Sequence, residues 1–179
     1  MCSVSTVYAY NTYNQHKLTY GVGNYGKDTQ HYFITSSASG YASYINTAMS
    51  EWVNTTSSMG VTTPISYTKT TTQSSSRMDI YQVSTVNEWW GLKTMNNGRT
   101  EVDQFSSNWA WGKIQLDADF SDLSENKRLA VIAHEMGHVM GLAHSDFSNV
   151  LMRADIAYNS SSTSRAQTND LGGINYLYK

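Results

Sequence analysis

The chain has five histidines in 179 residues, and three of them fall within eleven positions, in the run HEMGHVMGLAHS from residue 134 to 145. Residues four apart on a helix share a face, so a helix over this run projects His134 and His138 together. Two imidazoles at that spacing can bind one zinc ion. Glu135 lies beside them and can hold a water on the same ion. Gly141 can take a positive φ and turn the chain. That turn would return His144 to the metal as a third ligand. Three protein ligands leave a fourth position open, as a catalytic zinc site requires. His16 and His31 lie far upstream and read as surface or strand-edge residues.

The elements that must position this cluster follow from periodicity. Residues 17–22, KLTYGV, alternate Leu18, Tyr20 and Val22 as a half-buried strand does. Residues 23–28 form a turn. Residues 39–53, SGYASYINTAMSEWV, space Tyr41, Tyr44, Ile45, Ala48, Met49 and Trp52 as a helix does. Residues 65–70 and 77–84 read as strands around a polar loop, TTQSSS. Residues 85–98 are aromatic and irregular, and 100–106 and 113–116 again read as strands. Asp122 or Ser124 caps a helix to about Met140, Asp122 with Glu125 as a capping box. Its buried stripe is Leu129, Ile132, Ala133, Met136 and Met140. A polar loop spans 159–167. Residues 170–178 form a last helix, weakened by Gly172 and Gly173.

Composition bounds the rest. A hydrophobic fraction of 40% with 15% charged residues is that of a globular chain, and residues 1–179 read as one domain. The net charge of −2 supplies no basic field for nucleic acid or anionic lipid. No apolar run reaches the length of a membrane span. The single cysteine excludes an internal disulfide. Cys2 has two readings: a lipidated cysteine at a processed start, or an incidental exposed thiol, the plainer of the two. Low charge with much Ser, Thr, Asn and Tyr points to an extracellular or cell-surface protein, expected as a monomer.

HEMGHVMGLAHS resembles the metzincin zinc signature, and Ser145 after the third histidine resembles its matrixin form. Met152, in SNVLM, sits where matrixins place a methionine in a tight turn beneath the metal. KLTYGVGNY resembles the first matrixin strand, RMDIYQVS the third, and GKIQLDADF the strand before the active-site helix. Trp52 matches the tryptophan of the first helix. NDLGGINYLYK resembles the last helix, with Asp170 matching an aspartate that supports the methionine turn. The resemblance implies an α+β fold: a twisted, mostly parallel five-stranded sheet with three helices. It also implies a zinc-dependent endopeptidase acting on protein or peptide, with His134, His138 and His144 on the metal and Glu135 as general base. The extended substrate would lie along an edge strand, expected at residues 100–106. A specificity pocket would be bounded by Ala130, one turn before His134, and by Tyr158. Asp117 and Asp119 fall in a segment where the family often binds calcium.

Departures from the pattern carry expectations too. Gln115 stands where a second, structural zinc would have a histidine, and no histidine lies between Ile34 and Ala133, so one zinc is expected. The family's PRCGxPD segment is missing, so Cys2 is not read as a latch. Asn169 replaces an aspartate that pairs with the mature N-terminus. Ala154 excludes a tyrosine ligand two residues after Met152. Three readings rival the endopeptidase: a catalytically silent, adhesin-like zinc-binding module, a metallopeptidase of a neighbouring metzincin group with a narrower substrate, and a peptidase of peptidoglycan cross-links.

Overall fold

Five short strands build one sheet: β1 (Gln30–Ile34), β2 (Tyr67–Lys69), β3 (Met78–Gln82), β4 (Gly91–Met95) and β5 (Trp111–Leu116). The computed structural model describes residues 10–84, 91–156 and 163–179. The sheet order is β2-β1-β3-β5-β4. All pairs are parallel except β4 on β5, which is antiparallel and places β4 at the edge. The helices are α1 (Ala42–Val53), the one-turn α2 that follows it (Thr55–Met59), α3 (Glu125–Val139) and α4 (Thr168–Tyr178). This is the expected α+β architecture, with the short α2 in addition to the three expected helices.

The apolar spacing explains how α3 is held. Ile45, Ala48, Met49 and Trp52 are the buried face of α1, at intervals of three and four. That face packs on α3, which also lies against β4 and β5. Trp52 Nε1 donates to the Ala133 carbonyl at 2.9 Å, and Trp109 Nε1 donates to the Val139 carbonyl at 2.9 Å. Two buried indoles therefore fix the position of α3 through its own backbone as well as through apolar contact.

Four local expectations are corrected. Residues 17–22 are not a strand. Leu18 makes only an isolated bridge to Trp109, and Gly21 at φ 72° turns the chain before it can extend. Leu18 and Val22 are buried as expected, but Tyr20 is exposed. The first strand is instead residues 30–34. Its buried residues include Gln30, whose side chain donates to the carbonyls of Tyr20 and Asp28, and a buried glutamine conceals the apolar alternation. Residues 100–106 are not a strand either, apart from a bridge between Met95 and Glu101. The Asp103 carboxylate accepts the Phe105 N–H at 2.9 Å, a local turn that competes with extension. The edge strand lies instead within the stretch read as irregular. Finally, no capping box forms at Asp122. Ser124 occupies the N-cap of α3 without a side-chain bond, and a capping box instead joins Gln167 to Asp170 on α4.

Among the described residues, no helix is long and apolar enough to cross a membrane. Cys2 and Tyr158 lie outside the described residues.

Candidate metal centre

His134 and His138 stand one turn apart on α3, both buried, with ring centroids 4.5 Å apart. The helix ends just beyond them in a Schellman motif. The Leu142 N–H donates to the Gly137 carbonyl and the Gly141 N–H to the His138 carbonyl, each at 3.0 Å. Gly141 sits at φ 101°, and a Cβ there would lie 2.8 Å from Leu177 Cδ1. Conformation and space both demand glycine. The reversal carries His144 back, so that its ring centroid lies 5.2 Å from that of His134 and 4.8 Å from that of His138. The three side chains offer one ligand nitrogen each, all within 4.8 Å of one another.

Backbone carbonyls set the tautomers. His134 Nδ1 donates to the Leu151 carbonyl at 2.8 Å, and His138 Nδ1 donates to the Leu142 carbonyl at 2.7 Å. With the proton on Nδ1, each Nε2 presents a lone pair. Burial pushes the His134 imidazole down to about 4, and holds that of His138 well below its ordinary value, the neighbouring imidazoles adding to the effect. Burial also lowers His144. All three are therefore neutral donors near pH 7. His138 Nε2 and His144 Nε2 face each other at 3.2 Å. Two ligands on a tetrahedral zinc, at about 2.0–2.1 Å each, stand about 3.3 Å apart. Three neutral imidazoles at this spacing fit a zinc ion.

Glu135 follows His134 on α3 and is buried, which pushes its carboxyl up to about 8. Met152 is 2% exposed and packs against α3 at Gly137. A Cβ on Gly137 would overlap Met152 Sδ and press on Trp52, so this glycine admits the methionine. The turn that holds Met152 is tied at both ends. The Ser145 N–H donates to the Met152 carbonyl at 2.7 Å. The Asp170 carboxylate accepts the N–H groups of Leu151 at 2.9 Å, Met152 at 3.2 Å and Gln167 at 2.7 Å. Burial nevertheless raises the Asp170 carboxyl above its usual range, these donors offsetting part of the effect.

The remaining candidates fall elsewhere. Ala130 is buried in the core one turn before His134. Asp117 accepts the Asp119 N–H at 2.9 Å and caps the 3-10 turn that follows it. The only grouping of three or more metal-ligating side chains among the described residues is the histidine cluster, so Asp117 and Asp119 meet no third acid there. Sequence reasoning missed Tyr13, whose hydroxyl reaches His138 Nδ1 from 125 positions away. It also missed the carbonyls of Leu142 and Leu151, since backbone acceptors leave no side-chain signal.

No curated protein matches the sequence. Among solved structures, the fold is similar to one described as the structure of myroilysin, at 12% identity and a TM-score of 0.43, over 65% of this chain and 48% of that one. The chain spans about half the length of that structure. The sequence matches the matrixin family over residues 12–179. That span contains the three histidines, Glu135, Met152 and Asp170, and the chain belongs to the matrixin family of zinc metallopeptidases.

Proposed function

We propose that this chain is an endopeptidase in which Glu135 is the general base. The observation that carries the reading is the placement of Glu135, a buried carboxyl directly after His134 on α3, the helix that carries two of the three clustered imidazoles. His134, His138 and His144 would hold a zinc ion, and zinc bound there would supply Lewis acidity to a water and to the scissile carbonyl. Glu135 takes the proton from the attacking water on a carboxylate oxygen and delivers it to the departing amine nitrogen. Burial raises the Glu135 carboxyl, and a cation bound by the three histidines would favour the ionised carboxylate that this role needs. An extended peptide would add to the outer edge of β4, gaining backbone hydrogen bonds for affinity, while alternate side chains meet the walls of the site.

The test pairs the parent with Glu135→Gln, which keeps size and hydrogen-bonding reach but removes basicity. Both proteins should hold one zinc. The parent should cleave casein or a broad peptide library, and a chelator should abolish the cleavage. The variant should lose about 10² or more in kcat with KM changed far less. Equal rates in zinc-loaded parent and variant would remove Glu135 from the mechanism. A zinc-loaded parent that cuts nothing would favour the silent zinc-binding module, and one that cuts only cross-linked peptidoglycan would favour the peptidase of peptidoglycan cross-links.

A further inference from the structure

Residues 11–13 strap the loop that carries His144. Thr12 forms an antiparallel bridge with Leu142. The Ala143 N–H donates to the Asn11 carbonyl at 2.9 Å, and Asn11 Nδ2 donates to the His144 carbonyl at 2.7 Å. Tyr13, the next residue, is 6% exposed, and its hydroxyl lies 2.8 Å from His138 Nδ1. Its ring is wedged edge-on between Phe105, at 4.9 Å, and Trp109, at 6.1 Å between centroids.

We infer that Tyr13 is a positioning residue for the zinc site, its hydroxyl fixing the ring of His138 so that Nε2 faces the metal. The inference rests on the metallopeptidase reading above. His138 Nδ1 has one proton and two oxygens within reach, the Leu142 carbonyl at 2.7 Å and the Tyr13 hydroxyl at 2.8 Å. The carbonyl can only accept. A bare Nδ1 would set its lone pair against that carbonyl, so Nδ1 carries the proton and shares it between the two oxygens. The tautomer with an open Nε2 is thereby held by two acceptors rather than one. The two lie on separate segments, which restrains rotation of the imidazole. A ligand whose outer nitrogen is held in this way is more basic and better oriented toward a cation.

Tyr13→Phe removes the hydroxyl and keeps the ring and its packing. Zinc affinity is measured at neutral pH by competition with a chromophoric chelator, well below the melting temperature of either protein. The variant should bind zinc about tenfold or more weakly, the scale typical of such outer partners, while its zinc-free melting temperature equals that of the parent. Phe105→Leu is the control, since it disturbs the packing of the Tyr13 ring and leaves the hydroxyl; its zinc affinity should stay within about twofold of the parent. Zinc affinity of Tyr13→Phe within about twofold of the parent would overturn the inference. So would an equal loss in Phe105→Leu, or a loss matched by a lower zinc-free melting temperature, because packing alone would then account for the effect. A parent that binds no zinc would overturn the metallopeptidase reading itself and is distinct from all of these.

Discussion

Asp170 and His134 hold Leu151 from opposite sides: the Asp170 carboxylate accepts its N–H at 2.9 Å, and its carbonyl accepts the proton of His134 Nδ1 at 2.8 Å. The last helix thus reaches one of the three clustered histidines through a single residue, Leu151.

Asp170→Asn tests that linkage. The amide has one acceptor oxygen where the carboxylate has two, so an NH₂ must face a buried backbone N–H. Leaving such a donor unsatisfied costs about 1–3 kcal/mol, which for a chain of this size is a melting temperature lowered by roughly 2–12 °C. Zinc affinity should fall with it, because the Leu151 carbonyl loses its anchor. Thermal melts with and without zinc measure both effects, and an unchanged melting temperature would show that Asp170 does not hold the turn.

Gly137 and Met152 are tested as a pair. Met152→Ala removes a buried side chain packed against Gly137 of α3 and should cost about 2–5 kcal/mol, with the three histidines untouched. Gly137→Ala should also destabilise, because its new Cβ enters the space of Met152 Sδ. The double variant should recover part of the Gly137→Ala loss, since the obstructing sulfur is gone. Strictly additive melting shifts would argue against contact between the two residues.

The zinc-free protein should be most stable near pH 6.5. His134, His138 and His144 have folded values below the ordinary 6.5. The unfolded chain therefore binds more protons as pH falls below 6.5, and stability falls with it. Glu135 works in the opposite sense: its folded value of about 8 lies above its ordinary 4.5, so its contribution is lost as pH rises between the two. Below 6.5 the three imidazoles outweigh Glu135. Above 6.5 Glu135 acts without them, and stability declines toward pH 8. Melts in chelator across pH 4 to 8 check this, and a profile that rises or falls throughout would contradict it.

The sequence by itself determined the histidine cluster. Helical periodicity alone puts His134 and His138 on one face, and a glycine past the helix end permits the reversal that returns His144, since these are local geometric facts of the backbone. The amphipathic spacing of Ile45, Ala48, Met49 and Trp52 likewise announced α1. Strand reading failed at 17–22 and 100–106, where a positive-φ glycine and an Asp103 side-chain turn override a period-two pattern. It failed again at residues 30–34, where a buried glutamine hides one. Only the tertiary structure decided which strand forms the sheet edge, because pairing between strands is set by contacts distant in sequence. It alone decided what the histidines meet: the carbonyls of Leu142 and Leu151, the second held by Asp170 of the last helix, and the hydroxyl of Tyr13. Backbone groups carry no residue identity, and Tyr13 meets His138 only because the ligand loop folds back against the start of the described chain.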